Sequence, residues 1–285
     1  MVRFRFGPAG KPIEYKGPTV EIPFFLKSLG LDAFEYQAVR GVRISKEDAE
    51  QLGINARRSG VLVSLHGPYY INFSSQKKDV ITKSIDRLNK AVKAASYMGA
   101  YVVVFHPGYY GSLKPEEATK MVIDCLIKVR EFMEREGIKN VWLGPETTGK
   151  TSQVGSVDEI ITICREVGKA RPVVDWAHIY ARSKGSYITS INHVIEVIDK
   201  IEKELGREVL NPLHCHFSKI SYGKGGEREH VILADEAHGP DFRMVCKGLL
   251  EVGVDTVIIS ESPILEKDAL VMKRIYEELI GAYKT

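Results

Sequence analysis

The sequence predicts a single (β/α)8 barrel over residues 1–285, and three observations carry that prediction. Short β-branched runs alternate along the chain with longer amphipathic segments, eight times in all. The connections between them are short, which implies parallel neighbouring strands. No G-x-G-x-x-G follows the first strand, where an open dinucleotide-binding sheet would carry one; RFGPAGKP stands there instead. No low-complexity linker divides the chain, so one core is expected.

Taken in order, the strand-like runs are RFRFG (3–7), DAFEYQAV (32–39), VLVSLH (61–66) and YVVVFH (101–106), then NVWLGPE (140–146), RPVVDWAH (171–178), PLHCHFS (212–218) and TVIISES (256–262). In the fourth, Val102 to Phe105 suit a buried strand, and Pro107 and Gly108 supply its turn. Helical patterning fills the intervals. Residues 76–99 place Val80, Ile81, Ile85, Leu88, Val92 and Ala95 on one face and stop at Gly99. Residues 114–137 open acidic and close on Gly137.

The bulk numbers exclude several classes. Hydrophobic residues at 44% and charged residues at 27% are ordinary for a soluble domain. No apolar run reaches the length of a membrane span. MVRFRFGPAG has no apolar h-region, so a cytoplasmic location is expected. A net charge of +3 does not announce nucleic-acid binding, but a local basic patch would suffice for it. Cys125, Cys164, Cys215 and Cys246 form no C-x-x-C pair and are expected as reduced core thiols. Nothing argues for an oligomer, and a monomer is expected.

In such a barrel the chemistry gathers at the C-terminal ends of the strands. Strand three ends at His66, strand four at His106 and strand five at Glu146. Strand six ends with Asp175 and His178, strand seven carries His214 and His216, and strand eight ends at Glu261. Alone, a histidine such as His106 is most often a buried ring with one hydrogen-bond partner. Imidazoles and carboxylates from six strands would be badly solvated together unless cations neutralised them. They outnumber the ligands of one ion, which points to two or three divalent ions with a bridging carboxylate. His214 and His216 face the same side of one strand, so one stands behind the other. His230 and His238 lie in a polar stretch that suits solvated rings, and Tyr109, Tyr110 and Trp176 suit rim packing as well as substrate contact.

Six motifs make the chain recognisable: HGPYYINF (66–73), VVFHPG (103–108), PETTGKTSQVGS (145–156), VVDWAH (173–178), LHCHFSK (213–219) and SESP (260–263). In this order they resemble the endonuclease IV family of abasic-site DNA repair enzymes, within the xylose isomerase-like TIM barrel superfamily. The resemblance covers most of the chain from residue 61; the first sixty residues match in layout only. It implies a trinuclear metal cluster, usually zinc, at the barrel mouth. Carried over by motif, His66 and His106 hold one ion. Glu146 bridges it to a second, which Asp175, His214 and Glu261 complete. His178 belongs to the third. The family finishes that third site with an Asp-x-His pair after strand seven. Here GGEREH (225–230) puts Glu227 at the Asp and Glu229 at the His, with His230 next. A carboxylate-rich third site would favour Mn²⁺ over zinc.

The implied reaction is hydrolysis of the phosphodiester 5′ to an abasic site in damaged double-stranded DNA. Glu146 and Glu261 would position or deprotonate the attacking water. Tyr69 and Asn72 match DNA-contacting residues. Arg40, Lys150, Arg182, Lys219, Lys224 and Arg228 are basic loop residues able to meet phosphates. Two rivals remain. A sugar isomerase or 3-epimerase would hold one Mn²⁺ with Glu146, Asp175, His178, His214 and Glu261, but would have no use for His66 together with His106. A noncatalytic damage binder would account for the departure at Glu229. The number of metal ions per chain separates the three.

Overall fold

Parallel strands pair in sequence order in the computed structural model, which describes residues 2–282. The first four are β1 (Phe4–Pro8), β2 (Ala33–Gln37), β3 (Leu62–His66) and β4 (Val102–Phe105). The rest are β5 (Trp142–Pro145), β6 (Val173–Asp175), β7 (Leu213–Phe217) and β8 (Thr256–Ser260). Strands β2 to β5 form one parallel sheet; β6, β7, β8 and β1 form the other. Isolated parallel bridges join the two sheets at both seams. Ala9 pairs with Glu35 between β1 and β2, and Glu146 pairs with Val173 across β5 and β6. The ring is closed, and the fold is a (β/α)8 barrel.

The strands are apolar on both faces because both are covered. Val102, Val104 and Val173 pack together inside the barrel, as do Ala33, Val257 and Ile259. Their neighbours Val103, Phe105 and Phe34 turn outward into the layer beneath the helices. Arg171 closes the floor. It lies against the rings of Tyr101 and Trp142 and donates to the carbonyls of Glu208, Asn211 and Pro212.

Helices follow the capping signals of the sequence. The segment expected over 76–99 is α-helical over Lys78–Met98, and Gly99 ends it with φ 65°. That expected over 114–137 runs Pro115–Arg135, with the Glu117 carboxylate accepting from the Lys114 N–H at 3.0 Å. All four cysteines are free and buried. No helix among the described residues is long and apolar enough to cross a membrane.

Two local differences matter for the site. The sixth strand stops at Asp175, because its side chain accepts from the His178 N–H at 2.7 Å and so caps a short helix, Trp176–Arg182. His178 therefore sits on a helical turn, not a strand. A hairpin absent from the sequence expectation follows β7: Lys219–Gly223 pairs antiparallel with Gly226–Val231. Tyr222 opposes Glu227, but Ser221 opposes Glu229, so Arg228 is an extra residue in a bulge.

Candidate metal centre

Each strand end delivers its side chain with its ring or carboxylate already oriented. His66, at the end of β3, donates Nδ1–H to the Gly67 carbonyl at 2.8 Å. His178 donates Nδ1–H to the Thr147 carbonyl at 2.9 Å. His230, on the hairpin, has Nδ1 2.7 Å from Ser218 Oγ, whose own proton goes to the Lys219 carbonyl. A carbonyl only accepts, so in a neutral ring of His66 or His178 Nε2 is left with a lone pair; the Ser218 hydroxyl does the same for His230. These Nε2 atoms all face carboxylates. His66 Nε2 is 3.5 Å and His106 Nε2 3.0 Å from Glu146 Oε2. His178 Nε2 lies 3.5 Å from Glu227, and His230 Nε2 3.7 Å from Glu261.

Glu146 stands at the middle. It is fully buried, and its other oxygen, Oε1, faces His216 Nδ1 at 2.9 Å and His178 Nδ1 at 3.5 Å. Among the described residues four groups each bring their donor atoms within 4.8 Å of one another: His66, His106 and Glu146; Glu146, Asp175, His216 and Glu261; His178, His230 and Glu261; and, one layer deeper, Glu35, His214 and His216. Glu146 Oε2 and Asp175 Oδ2 are buried with no hydrogen-bond partner. Buried acceptors aimed at lone-pair nitrogens call for positive charge between them. Imidazole nitrogens with carboxylate oxygens are the donor set of zinc and related divalent ions, so the residues fit such a group.

The electrostatics agree. Burial opposes charge on Glu146, but the rings of His216 and His106 outweigh it and hold the carboxyl well below its usual range. Burial would lower the His216 and His178 pKa values, yet Glu35, Glu261 and Glu146 around the first, and Asp175, Glu146 and Glu227 around the second, raise both well above the ordinary value. Protons supply the missing charge when nothing else does. Asp175 is pushed up to about 6 by burial, with Glu261 and Glu146 adding to it against the pull of His178.

The structure redistributes several roles read from the motifs. His216 is the ring that faces Glu146 and Glu261, at 2.9 Å and 3.3 Å. His214 lies one layer deeper, with Nε2 3.0 Å from Glu35 and Nδ1 2.5 Å from the Tyr101 hydroxyl. Glu229 points to solvent, and the bulge at Arg228 turns His230 inward beside Glu227. His230 brings a second nitrogen to the third group, which removes the reason for Mn²⁺ there. Close packing requires Gly149 at this point: a Cβ on it would lie 2.7 Å from Glu227 Cβ and 3.0 Å from His178 Cδ2.

The nucleic-acid candidates divide. Arg40, Lys150, Lys224 and Arg228 are exposed. Arg182 is spent on the loop after β5, donating to the carbonyls of Lys150 at 2.7 Å and Gln153 at 3.0 Å and to the Tyr110 hydroxyl at 2.9 Å. Lys219 donates to the Asp235 carbonyl. Asn72 Oδ1 accepts from the backbone of Ser74 and Tyr109, holding the loop after β4. Tyr69 is 49% exposed and lies edge-on to His66, with Tyr109 across the same cavity of ≈ 360 Å³. His238 pairs with Asp235 outside the centre, and Trp176 is core. Glu35 was missed, although the alternation Ala33, Glu35, Gln37 puts it on the barrel's inner face.

Comparison with known proteins places the chain. The model of the xylose isomerase-like TIM barrel family matches residues 24–277. An uncharacterized protein of Methanocaldococcus jannaschii is 36% identical over 96% of this chain and 97% of its own length. A protein of Mycoplasma pneumoniae named "Probable endonuclease 4" is 28% identical over 66% of this chain. The match spans 63% of that endonuclease, less than two thirds of its length. Among solved structures, endonuclease IV from Thermus thermophilus superposes with a TM-score of 0.70 at 17% identity, covering 98% of this chain and 99% of that one. A D-tagatose 3-epimerase-like protein superposes at 0.66 and 22% identity, covering 90% and 91%. At these identities the superpositions show the fold alone.

Proposed function

This chain belongs to the xylose isomerase-like TIM barrel family, and on that premise we propose that it is a divalent-metal-dependent phosphodiesterase that cleaves DNA 5′ to abasic sites. One observation carries the reading. Glu146 is buried with one oxygen toward Nε2 of His66 and His106 and the other toward Nδ1 of His216. A carboxylate with nitrogen donors on both sides suits a bridge in a centre of two or three ions. The name of the Mycoplasma relative supports the same reaction class. Zinc is the proposed ion, because every group includes at least one imidazole and three of the four include a pair.

Bound divalent ions would acidify a water and offset the charge of the scissile phosphate and its leaving oxygen. His66, His106 and Glu146 would hold the first ion; Glu146, Asp175, His216 and Glu261 the second; His178, His230 and Glu227 the third. The chain's own groups set the geometry. Glu261 borders the cavity and is the carboxylate placed to orient the attacking water and take its proton. Tyr69 lines the cavity beside His66 and His106, where its exposed ring is placed to pack against a bound substrate. Lys150, at the cavity rim, is placed to pair with a phosphate oxygen.

A second reading has one observation in its favour. Glu146, Asp175, His216 and Glu261 alone make a four-donor set, enough for the single Mn²⁺ of a sugar epimerase. It leaves the pairing of His66 with His106 unused. The deciding experiment is a duplex with one synthetic abasic site, incubated with the protein with and without EDTA and run on a sequencing gel. The expected product is a nick 5′ to the site bearing a 3′ hydroxyl, lost with EDTA. An unsaturated aldehyde end, or no nick with one ion per chain, would overturn the reading.

A further inference from the structure

Glu35 lies at the middle of β2, beneath the candidate centre, and no step of the proposed chemistry uses it. It is fully buried. A buried carboxylate so deep in a barrel is costly unless its oxygens are all engaged, and here they are. Oε1 accepts from Gln37 Nε2 at 3.1 Å, and His216 Nε2 straddles the carboxylate, 3.1 Å from Oε1 and 3.3 Å from Oε2. Oε2 accepts from the Ser64 hydroxyl at 2.9 Å and faces His214 Nε2 at 3.0 Å. Gln37 and Ser64 thus fix the carboxylate from the side, whatever the histidines do. Its remaining lone pairs point at two Nε2 atoms. His214 is anchored from below by the Tyr101 hydroxyl. His216 presents its other nitrogen, Nδ1, to Glu146 at 2.9 Å and Glu261 at 3.3 Å.

A neutral imidazole carries one N–H, and the partner of one nitrogen decides the role of the other. We propose that Glu35 is a positioning residue that accepts the Nε2 proton of His216, leaves Nδ1 as the ring's lone-pair nitrogen, and aims it at the space between Glu146, Asp175 and Glu261. His214 then serves as a brace for Glu35 and takes no ion. The arrangement differs from that of His66 and His178, whose Nδ1–H groups are held by carbonyls and whose Nε2 atoms face the centre. His216 stands on β7 level with Asp175, with Glu35 on its Nε2 side and Glu146 on its Nδ1 side, so Nδ1 is the nitrogen that faces the centre and the acceptor for the ring proton lies beneath it. The inference rests on the metal-centre reading.

The test compares wild type with Glu35→Gln and Glu35→Asp, each stripped and reloaded with Co²⁺. Ions per chain, dissociation constants by chelator competition and the visible ligand-field spectrum are measured. A glutamine offers one acceptor oxygen to two imidazole N–H groups and turns an amide N–H toward one of them. In Glu35→Gln one ion per chain is expected to bind roughly 10- to 100-fold more weakly, with a changed spectrum for that ion and the others retained. Glu35→Asp is expected to recover part of the affinity and the wild-type spectrum. Unchanged affinity and spectrum in Glu35→Gln overturn the proposal and leave the metal centre standing. Wild type that takes up no cobalt overturns both. If the glutamine variant does not fold, the aspartate variant decides by the same readouts. Failure of both to fold assigns Glu35 to the core alone and also overturns the proposal.

Discussion

Glu229→His exchanges one solvent-facing side chain for another, because Glu229 points away from the barrel mouth while His230 points into it. Metal content and single-turnover cleavage are therefore expected to stay within about twofold of wild type, as for surface changes generally. His230→Ala should lose one ion per chain, and its cleavage rate should fall by more than the roughly 10- to 100-fold typical of outer partners. Mass spectrometry of bound metal and rapid-quench kinetics on both variants separate the two residues; equal effects would mean that the bulge does not set the side chains' directions. Glu146→Gln is the sharper case. An amide cannot place negative charge on both sides at once, so cleavage should vanish and at least one ion should be lost while circular dichroism stays unchanged. These residues differ in how legible they are. His66, His106 and Glu146 follow directly from their place behind an apolar run. The choice between His214 and His216 is harder, since both face inward; only position along β7 separates them, His216 lying two residues nearer the mouth where the chemistry gathers. Glu35 was legible in principle through the period-two pattern of its strand.

At the scale of elements, the hairpin after β7 is what the sequence hides. Its two strands, Lys219–Gly223 and Gly226–Val231, are polar, short and half exposed, so they carry no apolar alternation to announce them. Motif spacing applied to GGEREH assumes a regular strand, in which Glu227 and Glu229 share a face. The bulge at Arg228 shifts that face to Glu227 and His230. Deleting Arg228 would leave Glu227, Glu229 and His230 as consecutive residues, and regular alternation would again put Glu227 and His230 on one side. The deletion is expected to keep the same number of ions per chain. Inserting an alanine after Arg228 should break the pairing and cost one ion. Loss of metal in the deletion variant would show that the bulge, and not alternation, is what the third group needs.

At the scale of the molecule, the fold was legible because a closed barrel repeats one unit eight times, and each repeat is a strand and a helix with its own signals. The exterior is less so, since charge alone does not say which side chains are free. Of the six basic candidates, Arg182 and Lys219 are committed to backbone carbonyls, whereas Arg40, Lys150, Lys224 and Arg228 remain exposed. Each phosphate neutralised releases counterions and contributes about −0.9 to the slope of log affinity against log salt. Four contacts therefore set a slope of about −3.6 for an abasic duplex, a modest value in keeping with a net charge of +3. Lys150→Ala should make the slope shallower by about 0.9 and weaken binding on every sequence alike. Arg182→Ala should leave the slope as it is. Its harm should appear as a lower unfolding temperature, because the loop after β5 loses its clamp. Fluorescence anisotropy over a salt series measures the slopes, and calorimetry measures the unfolding. A shallower slope in Arg182→Ala would mean that its guanidinium leaves the Lys150 and Gln153 carbonyls to meet DNA. The docking face would then be rearranged on binding instead of built in advance.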